Sequence, residues 1–421
     1  MSRPTKDSRI EWIGEIPVHW EVGKVKHLFF RSKEINNENN PKVLSLARSG
    51  IKERNISNNE GQLAASYDNY SIVKEGDLLL NPMDLTSGAN CNYSFIEGVI
   101  SPAYINLRSK NECSSKYYDY YFKLQYWSLV FFAHGKGVSF EHRWTLNNET
   151  LMNFAIPIPP VEEQVKISNY LDNKVSQVEN LIDKTKLSII ELKKYMQSLI
   201  IEAVTKGLTP NVEMKETGVE WLGSIPFHWK VSKLKNIFEI KKIIANDLGY
   251  DVLSVTQKGL KIKDIQSNEG QLSSDYSKYQ IVEINDFVMN HMDLLTGWVD
   301  CSKYIGVTSP DYRVFRFKNN IDFNHEYFKY LLQGCYLNKT FYGFGQGVSN
   351  HGRWRLPTDE FLNFYFPIPS IEEQNQIVNF LTRKIQKIDE LIDSKEELLN
   401  EMEQFKRSLI YEYVTGKKEV I

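Results

Sequence analysis

Asn81-Pro82-Met83-Asp84 and Phe341-Tyr342-Gly343-Phe344-Gly345 are the two stretches whose residue types and spacing come nearest to catalysis. An Asn-Pro-Pro-aromatic loop grips an exocyclic amine, and the first stretch has half of it. It lacks the second proline and the stacking aromatic, so nothing would clamp a base. A Phe-x-Gly-x-Gly loop cradles S-adenosylmethionine, and the second stretch has that spacing. It follows a helical stretch, whereas a cofactor loop follows a strand and opens a helix. The chain has no Walker-type phosphate loop, which argues against ATP hydrolysis. The four cysteines, Cys91, Cys113, Cys301 and Cys335, form no C-x-x-C pair, and the eight histidines do not fall at metal-ligand spacing. A zinc site or disulfide framework is therefore not expected. Acidic residues are plentiful but make no convincing carboxylate–lysine cluster of a nuclease. The expectation is a non-enzyme that holds no metal.

The elements around these fragments belong to a chain written twice. Trp12-Ile13-Gly14-Glu15-Ile16-Pro17-Val18-His19-Trp20 returns as Trp221-Leu222-Gly223-Ser224-Ile225-Pro226-Phe227-His228-Trp229. Asn59-Glu60-Gly61-Gln62-Leu63 returns at 268–272, and Gly135-Lys136-Gly137-Val138-Ser139 at 345–349. Pro157-Ile158-Pro159 with Glu162-Glu163-Gln164 returns as Pro367-Ile368-Pro369 with Glu372-Glu373-Gln374. The period of about 210 residues is too long for a solenoid and marks a duplicated module. Residues shared by both copies point to folding or a common task. Residues that differ at matched positions point to what distinguishes the copies. The two catalytic-looking stretches fail this comparison, since they become Asn290-His291-Met292-Asp293 and Phe131-Phe132-Ala133-His134-Gly135 in the other copy. His19 and His228 sit in matching segments and read as structural.

Each copy has two parts. The first mixes short β-rich runs, such as Tyr70-Ser71-Ile72-Val73 and Asp77-Leu78-Leu79-Leu80, with turn signals such as Glu75-Gly76-Asp77 and a helical stretch over 116–132. It reads as a mixed α/β (α+β) globule. The second is one long helix. Pro159-Pro160 ends the preceding segment, Glu162 and Glu163 place negative charge in the first turn, and Gly207 is the expected stop. Leu171, Val175, Val178, Ile182, Thr185, Ile189, Leu192, Met196 and Leu199 alternate at spacings of four and three. Leu381, Ile385, Ile388, Ile392, Lys395, Leu399, Met402, Lys406 and Leu409 repeat that rhythm, an a/d seam with polar interruptions. Each helix could pack its seam on its own globule, but two equal seams in one chain are expected to pack on each other. The predicted order is a globule over 1–160, a helix over 161–207, a globule over 208–370 and a helix over 371–421.

The 421 residues carry a net charge of −2 with 25% charged residues. A partner that is a polyanion therefore needs either a local basic surface or positive charge supplied in part by partner subunits. No apolar run reaches the roughly 18 residues of a membrane span and the start lacks a signal-peptide core, so a cytoplasmic protein is expected.

Two globules, each followed by Pro-Ile-Pro-x-x-Glu-Glu-Gln and a long helix ending near Glu202-Ala203-Val204-Thr205 or Glu412-Tyr413-Val414-Thr415, resemble the specificity subunits of type I restriction-modification systems. The likeness covers the full chain. It implies that the globules are target recognition domains, each reading one half of a bipartite duplex DNA site. It implies that the helices form an antiparallel coiled coil, which makes the globules pseudo-twofold and sets the spacing of the half-sites. Two modification (methyltransferase) subunits bringing S-adenosylmethionine, and restriction subunits bringing ATP- and Mg-dependent translocation and cleavage, are the implied partners. This chain itself would bind no cofactor.

Three loops are then the candidates for reading DNA, because small and polar residues approach a groove closely. The first holds Arg48 and Ser49, matched by Gln257 and Lys258; Arg suits guanine and Gln suits adenine in the major groove. The second holds Asn81, Asp84, Ser87 and Asn90, matched by Asn290, Asp293 and Thr296. The third holds Lys136, Ser139, Phe140, Glu141, His142 and Arg143, matched by Gln346, Ser349, Asn350, His351 and Arg353. The shared Arg143 and Arg353 read as phosphate contacts. The differing triplets Phe140-Glu141-His142 and Asn350-His351-Gly352 read as base readers. Trp144 and Trp354 read as core. Two other readings stay open: a two-headed coiled-coil adaptor for proteins, and the specificity subunit of a related system whose methylase and nuclease share one chain.

Overall fold

The computed structural model describes residues 3–37, 39–55, 64, 66–88, 90–110, 113–137, 144–265, 275–318, 322–347 and 354–420. Two compact units divide the chain: residues 1–186 with 396–421, and residues 187–395. The long helices, Val161–Lys206 and Ile371–Val414, each begin in one unit and end in the other.

The globule of unit 1 is built on an antiparallel sheet in the order Phe29–Arg31, Ile105–Ser109, Leu78–Leu80, Cys91–Tyr93. Unit 2 repeats the order with Phe238–Lys241, Arg313–Phe317, Phe287–Met289 and Val299–Cys301. Successive strand residues face opposite sides, and the run Leu78-Leu79-Leu80 is buried throughout. Leu78 and Leu80 join the main core, while Leu79 joins a smaller cluster with Leu44, Val73 and Ile100. The main core also takes Tyr117, Tyr118, Tyr121 and Phe122 from the helix Ser115–Trp127.

That helix is shorter than the expected 116–132. It stops at Ser128, Leu129 adopts a left-handed conformation (φ 57°), and a separate turn follows over Val130–Ala133. Unit 2 does the same, with Lys339 at φ 56°. Glycine, the usual sign of such a break, is missing from both positions, so the sequence shows no stop there.

The two long helices run antiparallel within each unit. In unit 1 the Tyr413 hydroxyl donates to the Tyr170 hydroxyl at 3.2 Å, and Lys406 lies 3.6 Å from Glu179. None of the seam positions is exposed. Lys406 is polar but half-buried and neutralised by Glu179 and Glu403, which specifies register at some cost in stability. The ends of the helices go further into the globules than a coiled coil requires. Ile167, Leu171 and Val175 from the start of one helix, with Leu409, Ile410, Tyr413 and Val414 from the end of the other, complete core 1. Ile377 and Leu381 with Ile200, Ala203 and Val204 complete core 2. The Tyr117 hydroxyl donates to the Val414 carbonyl at 2.7 Å and the Tyr327 hydroxyl to the Val204 carbonyl at 3.0 Å. Gly207 (φ 76°) and Gly416 (φ 72°) then take the left-handed position that closes each helix.

The repeated helix-start signature is explained by packing. Glu163 accepts from Trp20 Nε1 at 2.8 Å and Arg3 at 2.7 Å, and it contacts His19 Nε2 at 2.5 Å. Glu373 binds His228 at 2.8 Å and Trp229 Nε1 at 3.0 Å. Gln164 and Gln374 accept the backbone N–H of Ser114 and Asn324, at the start of the aromatic helix in each copy. Partial burial pushes both glutamates up, but these hydrogen bonds prevail and hold each carboxyl below its ordinary value. A depressed folded pKa contributes stability that is present above the unfolded value of about 4.3 and is lost as pH falls through the folded value. Glu373→Gln should therefore cost about 1–2 kcal/mol at neutral pH, the low end for bonds to a charged acceptor because the carboxylate is partly wet. Its unfolding midpoint, followed from pH 7 down to pH 3, should fall less steeply than that of the parent. An identical pH slope would show that Glu373 contributes nothing through its charge.

Candidate nucleic-acid interface

The first loop is a hairpin tip. Leu44–Ala47 pairs with Gly50–Glu53 so that Ala47 faces Gly50, leaving Arg48-Ser49 as an exposed two-residue turn. Leu253–Thr256 and Gly259–Ile262 pair in the same way, leaving Gln257-Lys258. A polar residue at the centre of the sheet's edge strand ties each hairpin down. Asn92 donates to the Ala47 carbonyl at 2.7 Å, and Asp300 accepts the Leu260 N–H at 2.7 Å.

The second loop leaves the sheet after Leu80 and returns at Cys91, closed by Asn81 N–H to the Asn90 carbonyl at 2.8 Å. Its acid is turned inward. Asp84 accepts from the Ser87 N–H at 3.1 Å and Asn90 Nδ2 at 3.0 Å, as well as the Ser87 hydroxyl. Burial pushes the Asp84 carboxyl up, but these donors outweigh it and hold the group below its ordinary value. Asp293 accepts from the N–H groups of Leu295 and Thr296, at 3.0 and 2.9 Å, and from the Thr296 hydroxyl. Asp84, Asn90 and Asp293 thus shape the loop, while Ser87 and Thr296 stay exposed on it. Asn81 and Asn290 are half-buried, and their carbonyls accept the hydroxyls of Tyr126 and Tyr336, both at 2.7 Å.

The third loop rises from a two-residue bridge. Lys136 and Thr145 exchange both backbone hydrogen bonds at 3.0 Å; Gln346 and Arg355 do so at 2.8 and 2.9 Å. Gly135 and Gly345 lie close beneath it, where a Cβ would stand 2.8 Å from Leu85 Cδ1 or 2.7 Å from Leu294 Cδ1 and displace that side chain. Trp144 and Trp354 are half-buried against the core, their rings tilted at 45° to those of Phe132 and Tyr342 with centroids 4.7 and 4.8 Å apart. Ser139, Phe140, Glu141, His142 and Arg143 lie outside the described residues, as do Ser349, Asn350, His351, Gly352 and Arg353.

The fold brings the three loops of each copy together. A Cβ on Gly88 would stand 3.5 Å from Cδ and Nε of Arg48, so the hairpin tip lies over the second loop. Gln257 Nε2 donates to the Thr296 carbonyl at 3.3 Å, which makes the same junction in unit 2. The third loop is tied to the second through Leu146 N–H to the Pro82 carbonyl at 2.8 Å and Leu356 N–H to the His291 carbonyl at 2.9 Å. Arg48, Ser49, Ser87 and Lys136 therefore share one surface in unit 1, and Gln257, Lys258, Thr296 and Gln346 share its counterpart.

Sequence reasoning missed Arg355. The bridges show that Lys136/Thr145 becomes Gln346/Arg355, so each stem carries one exposed cation on opposite strands. The signal was the complementary exchange at two positions, readable only once their pairing is known. Among the described residues no group of three or more His, Cys, Asp or Glu could hold a metal ion. No described helix is long and apolar enough to cross a membrane.

Comparison with known proteins decides what this duplicated arrangement is. The family model of the type I restriction modification DNA specificity domain matches the chain twice, over residues 17–192 and 226–404. The chain belongs to that family. Among curated relatives, the specificity subunit of the type I restriction enzyme MjaVIII of Methanocaldococcus jannaschii is 26% identical over 367 residues, covering 83% of this chain and 80% of its own length. The EcoBI specificity subunit of Escherichia coli is 25% identical over 398 residues, covering 88% of this chain and 78% of its own length. A chain from a solved structure concerned with complex assembly and conformational transition of the type I R-M system superposes with a TM-score of 0.68. It is 12% identical and is covered to 99%, against 96% of this chain. At that identity the likeness speaks for the fold alone. The mixed α/β architecture with two long helices is the fold of this family's specificity subunits.

Proposed function

We propose that this specificity-family chain reads a bipartite DNA duplex, each unit taking one half-site through its three-loop surface. The single observation that carries the reading is the repeat of one loop junction with different side chains upon it. At matched positions of the two copies Arg48 is replaced by Gln257, Ser49 by Lys258, Lys136 by Gln346 and Thr145 by Arg355. A shared framework with exchanged hydrogen-bonding groups is what two readers of different base sequences need. Lys136 and Arg355 serve as phosphate contacts at the base of the third loop, a role that the sequence also gives to the shared Arg143 and Arg353. The antiparallel helices hold the unread spacing, and a duplicated chain with varied halves need not have a palindromic target.

The reading gives this chain no bond-making step. Methyl transfer from S-adenosylmethionine belongs to two modification subunits, and ATP- and Mg-dependent translocation and cleavage to restriction subunits. Exposed apolar side chains on the helices support docking of such partners: Leu181 and Phe405 in unit 1, and Leu187, Ile190, Tyr195 and Leu391 in unit 2.

The test is methylation mapping of a host carrying this chain with its modification partner. Replacing Phe140-Glu141-His142 by Asn-His-Gly should change one half-site and spare the other. Unchanged halves would remove the third loop from base reading. Lys136→Ala and Arg355→Ala should each weaken binding of all sequences alike and reduce the salt slope by about one. A changed base preference at constant slope would make these residues readers and not phosphate contacts.

A further inference from the structure

Arg313 is buried, 4% exposed, in a place where the other copy needs no charge. It opens the strand Arg313–Phe317, and the matched strand Ile105–Ser109 opens with the buried Ile105 in the same register against the neighbouring strand. Among the described residues no carboxylate pairs with Arg313. Its guanidinium stacks 4.7 Å from the centre of the Phe361 ring, and Nη1 lies 3.9 Å from Met289 Sδ. Its strong donors go to one segment: Nη2 donates to the Leu356 carbonyl at 2.9 Å and to the Thr358 hydroxyl at 3.3 Å. That segment is the leg on which the third loop of unit 2 returns to the core. Unit 1 builds the same leg without a cation, its following short helix capped by Asn147, which accepts the Thr150 N–H at 2.8 Å. In unit 2 the matched helix starts after Pro357 and has no side-chain cap.

The surroundings are hostile to a positive charge. Burial pulls the Arg313 guanidinium down to about 10, with Arg355 adding to the effect. Beside it His291 is 6% exposed, its Nδ1 has no hydrogen-bond partner among the described residues, and burial together with Arg313 and Arg355 holds it neutral, at about 3. Buried ionic groups replaced together by well-packed apolar residues often leave a fold as stable or more so, and Ile105 shows that the matched sheet of unit 1 takes an apolar residue at this position. Folding alone does not account for an arginine here.

We propose that Arg313 is a positioning residue for sequence specificity in unit 2, fixing the returning leg of the third loop and so the bases that this unit alone reads. The inference rests on the reading of the loops as DNA readers. It assigns to a residue that never meets the bases a control over one half-site only.

The experiment is the methylation map of the full chain with its modification partner, for Arg313→Met, Arg313→Lys and Thr358→Val. The half-site read by unit 2 is identified beforehand as the one altered by exchanging residues 350–352. Arg313→Met should keep the unfolding midpoint and the unit 1 half-site, while discrimination at one or more positions of the unit 2 half-site falls about tenfold. Arg313→Lys should restore part of it, since an ammonium can still reach one acceptor. Thr358→Val removes an exposed acceptor without stranding a charge, and should loosen the same positions by a smaller factor. An unchanged map in all three variants overturns the proposal. So does uniform fading of both half-sites with loss of folded protein, if Thr358→Val leaves the map intact. A parent map with no bipartite motif would instead overturn the DNA reading itself.

Discussion

Seven residues inserted after Lys186, matched by seven at Leu398, should lengthen the unread spacer of the target by about three base pairs and leave both half-sites unchanged. The contacts Tyr170 to Tyr413 and Glu179 to Lys406 set the antiparallel register, and continuing it brings residues 186 and 398 level. A heptad adds about 10.5 Å at 1.5 Å per residue and returns the seam to the same face. Duplex DNA rises about 3.4 Å per base pair, so the distance suits three pairs. It also turns about 34° per pair, roughly 100° in all, so longer extensions are expected to fail. Insertion into one helix alone should abolish assembly, because each core needs the start of one helix and the end of the other. The measurement is methylation mapping of the doubly extended chain after its complex with the modification partner has been isolated. A fully active variant with the parental spacer would show that the helices are not the ruler.

Lys241→Met should destabilise unit 2 by about 3–5 kcal/mol, a large part of the 5–15 kcal/mol typical of a folded domain. Lys241 and Asp286 are almost without solvent, 2% and 3% accessible, with Nζ 2.6 Å from Oδ2. Glu283 supplies a second contact at 2.7 Å from the surface side. Asp286 also accepts the Glu283 N–H at 2.7 Å, which shapes the turn before the strand Phe287–Met289. Removing the lysine leaves the carboxylate buried and uncompensated. The double variant Lys241→Met/Asp286→Asn should recover much of the loss, because the amide keeps an acceptor for the turn without the charge. Denaturant unfolding measures both variants, with the transition of unit 1 as internal reference. Equal midpoints for the single and double variants would argue that the pair is not coupled. Unit 1 meets the same demand differently: its matched Asp77 takes Arg108, with Nε at 2.8 Å and Nη2 at 2.9 Å.

The exchange of Lys241 for Arg108 marks a limit of reading copies against each other. The sequence marked Glu75-Gly76-Asp77 as a turn, yet not that Asp77 and its counterpart Asp286 are neutralised from different strands, one from an inner strand and the other from an outer one. The same limit holds at the loops. Each loop was legible as a repeated frame with exchanged residues. Their roles were not. Asp84 and Asp293 stood among the candidate readers, while the structure uses their carboxylates to close their own loop. Arg355 and Arg313 went unnoticed, since nothing in the order of residues shows that Gln346 pairs with Arg355 or that residue 313 lies under residue 356.

Local periodicity and repetition were enough to determine the duplicated mixed α/β plan, the long helices with their seams, and the family likeness. These signals live within a few residues or in a comparison of two copies, and they need no knowledge of distant contacts. Only the tertiary structure decided where the helix ends go and how the loops meet. An a/d seam demands a buried face but does not name its partner, and the carbonyls of Val204 and Val414 are met by Tyr327 and Tyr117, each more than a hundred residues away in the chain. Burial of apolar surface is non-directional. The choice among partners falls to the packing and hydrogen bonds of the whole unit, such as the tyrosine hydroxyls on the last helical carbonyls.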